Sequence, residues 1–138
     1  MSLPSNEHTF VLKIDGERTK QTFDGTFTVR CLLTNAEIIE VGLRIDQYNK
    51  GSQTVPPGVA LLNRALAELD VRIMKSPSWW KESDGGRNLL DTNVIYEVFS
   101  KSLEAEKIYD ERIAEAAKKS DAAADASTKR KKDKESSG

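Results

Sequence analysis

The sequence predicts an α+β fold: an N-terminal three-stranded antiparallel meander, followed by three helices and a disordered C-terminal tail. Three observations lead there. Short alternating apolar runs separated by Asp-Gly pairs occupy the stretch from Phe10 to Cys31. Apolar stripes at helical spacing, opened by a capping motif, follow from Thr34 onward. Beyond Lys119 the composition turns to Ala, Ser, Asp and Lys without one large apolar residue, so burial cannot offset the entropy of ordering. The division that results is a flexible leader over 1–8, a single domain with a long C-terminal helix over 9–119, and a charged tail over 120–138.

The strand region contains a conflict. Phe10, Leu12 and Ile14 alternate with polar positions before Asp15-Gly16, and Phe27, Val29 and Cys31 alternate after Asp24-Gly25, with the threonine-containing run Glu17–Phe23 between. If both Asp-Gly pairs made two-residue hairpins, the two apolar triplets would lie on opposite faces of the sheet. A sheet packed on one side cannot accept that. An odd loop or a bulge with a left-handed glycine at one of the turns is the expected solution.

Thr34-Asn35-Ala36-Glu37 fits a capping box, and Ile38, Val41, Gly42, Ile45 and Tyr48 follow at helical spacing, with Ile39 and Leu43 widening the stripe. Asn49-Lys50-Gly51 ends this helix and Ser52–Pro57 is a loop. A second helix is expected from about Gly58 to Lys75, its apolar face made by Leu62, Ala65, Leu66, Leu69 and Ile73. Ser76-Pro77 stops it, because the residue before proline is biased away from helical geometry. Trp79 and Trp80, the only tryptophans, then stand between Pro77 and Gly85-Gly86. One indole is expected to seal the joint between helices, and the other either packs beside it or serves partner binding. Asp91 or Thr92 opens a third helix whose first turns carry Val94, Ile95, Val98 and Phe99. Its later part keeps the period with less bulk at Ala105, Ile108, Tyr109, Ile113 and Ala116. Charges alternating from Glu104 to Lys119 suit a solvated helix protruding from the body.

Chemistry is sparse. Cys31 is the lone cysteine, so it can form no intramolecular disulfide, and its only conceivable base among histidines is His8, an exposed leader residue; Cys31 reads as a small buried hydrophobe. Glu68 and Asp70 point to different helix faces and make no acid–base pair. Asp84-Gly85-Gly86 lacks the lysine and hydroxyl residue of a phosphate loop. No metal-ligand spacing, cofactor motif or catalytic set emerges, and a non-enzymatic role is expected. No apolar run approaches the ~20 residues of a membrane span, and Met1–Glu7 lacks a signal pattern. The formal net charge is −1. The basic run Lys129–Lys134 would favour phosphate contacts, but residues 120–138 hold five basic against four acidic groups, which argues against a dedicated nucleic-acid arm. A small nucleic-acid-binding protein stays as an alternative.

Three pieces in order carry a resemblance. Phe23-Asp24-Gly25-Thr26-Phe27-Thr28-Val29 leads into Leu33-Thr34-Asn35-Ala36-Glu37. Ala65-Leu66-Ala67-Glu68-Leu69-Asp70-Val71-Arg72-Ile73 flows into Pro77-Ser78-Trp79-Trp80. Gly85-Gly86, Leu89-Leu90-Asp91 and Asn93-Val94-Ile95-Tyr96-Glu97-Val98 complete it. Over roughly residues 9–100 the chain resembles the tail assembly chaperones of tailed bacteriophages, small proteins encoded next to the tape measure gene. The resemblance implies a non-catalytic role in the host cytoplasm, coating the aggregation-prone tape measure protein and helping to bring tail-tube subunits to it. It also implies absence from the finished virion. A structural virion component, a head–tail or tail protein, is the other role open to this resemblance. Partner contact is expected at Trp79, Trp80, Ile108, Tyr109 and Ile113, with an extended client helix lying against the last three. Self-association into a homo-oligomer is a further expectation, from the apolar stretches of the third helix.

Overall fold

The computed structural model of the chain describes residues 2–136, and side-chain surroundings as far as residue 122. The fold is α+β: a three-stranded antiparallel sheet packed under helices. Strands β1 (Glu7–Asp15) and β2 (Thr22–Arg30) pair with Phe10 opposite Phe27, Leu12 opposite Gly25 and Ile14 opposite Phe23. Residues directly opposite share a face, so both apolar sets point into the core together. Thr9 and Thr28 join hydroxyls at 2.9 Å on the other, solvated face.

The register conflict is resolved differently from the expectation, because only one of the two Asp-Gly pairs turns the chain. The turn is the six-residue loop Gly16–Gln21, closed by Gly16 N–H to Gln21 O at 2.8 Å and Lys20 N–H to Gly16 O at 3.0 Å. Its left-handed position is taken by Lys20 (φ 64°) rather than a glycine. Asp24-Gly25 lies inside the continuous strand β2. Gly25 is there for space: a Cβ would overlap the Pro77 ring seated against it. The third strand is also drawn from another segment. β3 (Ile73–Lys75) follows the second helix and adds to β2 with Val29 opposite Ile73 and a register irregularity beside it. The residues expected to end that helix are extended instead, because the open edge of β2 recruits them into the sheet. The leader is likewise partly structured. β1 begins at Glu7, His8 pairs with Val29, and the Asn6 side chain holds both Leu32 N–H and Leu32 O.

Helix α1 (Asn35–Tyr48) opens with the expected capping box: Thr34 Oγ1 accepts from Glu37 N–H at 3.2 Å, and Glu37 accepts from Thr34 N–H at 2.9 Å. Helix α2 (Pro57–Arg72) starts on its second proline, whose missing N–H costs nothing in a first turn. A short helix α3 (Ser78–Glu82) carries both tryptophans. Helix α4 (Thr92–Ser136) runs from the core into the segment read as a tail; its side chains past residue 122, the Lys129–Lys134 run included, lie outside the described residues.

One face of the sheet is covered by α2, α3 and α4. The main core gathers Leu12, Phe23 and Phe27 from the strands, Ala65, Leu66 and Leu69 from α2, Trp80 from α3, and Val94, Ile95 and Val98 from α4. Each large side chain fully buried here contributes about 1.5–3 kcal/mol. A smaller cluster joins Val29 and Cys31 to Ala105 and Tyr109 of α4. A third holds α1 to α2 through Val41, Ala67 and Val71.

Candidate functional site

The residues expected to meet a partner are mostly spent on the fold. Trp80 is buried, with its ring edge-on to Phe27 at 5.6 Å and to Trp79 at 6.0 Å. The Gly85-Gly86 backbone wraps over it so closely that a Cβ on Gly86 would stand 2.8 Å from the indole. Both glycines take positive φ, 64° and 90°, which a side chain would resist. Trp79 is half-buried against Phe23 and donates its ring N–H to Asp24 O at 2.8 Å. Tyr109 is buried in the smaller cluster and Ile113 packs beside it, while Ile108 stays partly exposed. The tryptophans and the α4 residues thus sit in separate clusters, and the structure does not bring the five into one surface.

Free apolar surface appears instead on α1. Of its apolar stripe only Val41 is buried. Ile38, Ile39 and Leu43 are exposed by 56%, 63% and 59%. The sequence did carry a signal for this. A stripe spanning Ile38, Ile39, Val41, Leu43 and Ile45 is wider than one neighbouring helix can cover. Between α1 and α2 lies a cleft of about 640 Å³. Leu32, Leu33, Ile38, Val41, Gly42 and Ile45 line its apolar side, and Arg64, Glu68, Arg72 and Glu106 its polar side.

The polar wall is built around Arg72, which is almost wholly buried. Its guanidinium donates to Glu68 Oε1 at 3.0 Å, to Cys31 O at 2.9 Å and Arg30 O at 3.3 Å, and to Glu106 of α4. A buried charge is tolerable only with such complete pairing. This one locks α2, the end of β2 and α4 to each other. Arg64, one helical step from Glu68, is different: its Nε stands 3.9 Å from Glu68 Oε2 and its side chain is 66% exposed. The nearby Cys31 thiol is pushed up by burial, with Arg112 and Arg72 opposing. Cys31 is fully buried, as expected of a small packing group.

Two further polar clusters serve as joints. Asp70 of α2 accepts from the Tyr48 hydroxyl, from Arg44 at 3.3 Å and from Arg87 at 2.5 Å. Arg87 also lies 4.6 Å over the Tyr48 ring. Burial pushes Asp70 up to about 6, with Arg44 opposing and the Asp84 charge adding to the rise. Asp91, just before α4, ties down the β1–β2 loop by accepting from Arg18 N–H at 2.7 Å, Thr19 N–H at 3.0 Å and the Thr19 hydroxyl. The Thr19 hydroxyl chiefly, helped by both N–H groups and the Arg18 charge, holds its carboxyl below the usual range. A Cβ on Gly16 would overlap this carboxylate, which explains the glycine.

Among the described residues no group of His, Cys, Asp and Glu has the arrangement of a metal site, and no helix is long and apolar enough to cross a membrane. No family model matches the chain, and no curated protein or solved structure matches it. The described residues form an internally paired frame that presents an exposed apolar helix face with a cleft beside it.

Proposed function

We propose that this protein is a non-enzymatic tail assembly chaperone of a tailed bacteriophage. In the host cytoplasm it would hold apolar segments of the tape measure protein and help bring tail-tube subunits to it. The resemblance over roughly residues 9–100 supplies the identity of the client. The observation that carries the reading is the exposed trio Ile38, Ile39 and Leu43 on a capped, anchored helix. Monomeric soluble proteins rarely expose contiguous apolar patches larger than a few hundred Å² without a partner to cover them. A holding protein needs such a patch on a frame that does not itself unfold, and the Arg72 and Asp70 joints supply that frame.

The test is co-expression of the tape measure protein with this chain, followed by separation of soluble from aggregated material. The reading expects soluble tape measure protein with the wild type and loss of solubility with Ile38→Ser/Ile39→Ser/Leu43→Ser. It also expects the chain to be absent from purified virions. Its presence there in fixed copy number would instead assign it to the particle's structure, and insoluble client in both cases would remove the chaperone role.

A further inference from the structure

Gly42 has no structural reason to be glycine. It lies inside α1, where glycine costs stability relative to alanine. Its backbone is not in the left-handed region, and a Cβ built on it would meet nothing within 4 Å. Glycine on a helix surface permits close approach of another backbone. Gly42 faces the cleft, flanked one turn before by Ile38 and, three residues on, by Ile45. A shallow seat with an apolar knob on either side is what an incoming helix requires.

The opposite wall states what charges that helix should carry. On α2, Arg64 and Arg72 are two turns apart, about 12 Å at the rise of a helix. At the Arg72 end the buried guanidinium is already matched by Glu68 and Glu106, and the Glu106 side chain remains 46% exposed. At the Arg64 end the cation is paired only loosely, to Glu68 at 3.9 Å, and its side chain is 66% exposed and open to a second carboxylate. The cleft therefore offers a positive group at one end, a negative group at the other and an apolar seat between.

We propose that this cleft is the docking site for one amphipathic helix of a partner protein, with aliphatic anchors seated over Gly42, an acidic residue facing Arg64 and a basic residue about two turns away facing Glu106. The partner's identity as the tape measure protein rests on the chaperone reading; the chemistry of the occupant does not.

The test uses the full chain and two synthetic peptides of about 18 residues, each with leucine at i, i+3, i+4 and i+7. One carries a glutamate and a lysine two turns apart on the flank; the other carries lysine at both positions. Fluorescence anisotropy should show the mixed-charge peptide binding wild type roughly tenfold tighter than the dilysine peptide. Gly42→Leu, whose Cβ meets nothing within 4 Å and whose longer side chain occupies the seat, should lose binding while its melting temperature is not lowered. Arg64→Glu should reverse the preference between peptides, a result that mere loss of packing would not produce. Equal binding to wild type and Gly42→Leu, equal binding of both peptides to wild type, or no binding at all overturns the proposal. If the peptides behave as expected but the tape measure protein stays insoluble on co-expression, the chaperone reading falls and the docking site stands.

Discussion

Arg72 is the residue on which most of the molecule's polar organisation converges. Its replacement by methionine would fill similar volume, yet leave the buried Glu68 with only the 3.9 Å pair to the exposed Arg64 and remove the bonds to Cys31 O and Arg30 O. Breaking a buried pair from one side costs about 3–5 kcal/mol, and a urea unfolding midpoint should report a loss of that size for Arg72→Met. Arg72→Lys should recover only part, since a point charge cannot match the forked geometry. Asp91 gives a pH signature. Its folded carboxyl is held below its unfolded value, so its contribution is present above about pH 4 and is lost as pH falls through the folded value. The stability difference between wild type and Asp91→Asn should therefore shrink steadily below pH 4 in acid titrations followed by circular dichroism. A gap that stays constant down to pH 2 would show that Asp91 does not act through its charge.

At the level of elements, legibility in the sequence followed locality. The capping box of α1 was readable because Thr34 and Glu37 satisfy each other within one turn. That no helix continues through Pro77 was readable from one residue and its neighbour, but the helix ends earlier, at Arg72, and not at Lys75 as expected. Asp24-Gly25 was misread as a turn because its glycine answers to Pro77, fifty-two positions away, and not to its own backbone. Ile73–Lys75 was misread as helix for a similar reason: the open edge of β2 that recruits it is a tertiary feature. For Gly25→Ala, the overlap with the Pro77 ring should cost about 1–3 kcal/mol, as overpacking in a filled core does. A melting temperature within one degree of wild type would mean that the proline yields and the contact is not a constraint. The candidate surface was half legible. The breadth of the α1 stripe was visible, but which part α2 would cover was not, and weight fell on Tyr109 and Ile113, which the sheet takes up.

The whole molecule divides into a frame and a face. The frame is the sheet with α2, α3 and α4 locked over it by the tryptophan joint and by buried, fully paired charges. The face is α1, held by a thin apolar seam to α2 and by Arg44 and Tyr48 to Asp70, with its outer surface apolar. Because Ile38, Ile39 and Leu43 contribute little to the frame, replacing them with serine should change stability by no more than about 0.5 kcal/mol each while removing client binding. In the proposed function this face, and not the outer part of α4, receives the client. Backbone hydrogen exchange of the protein with and without tape measure protein tests it most directly. Exchange should slow across Leu32–Tyr48 while the amides of Ile108–Ile113 stay unchanged; slowing confined to Ile108–Ile113, or none anywhere, would show that α1 does not receive the client.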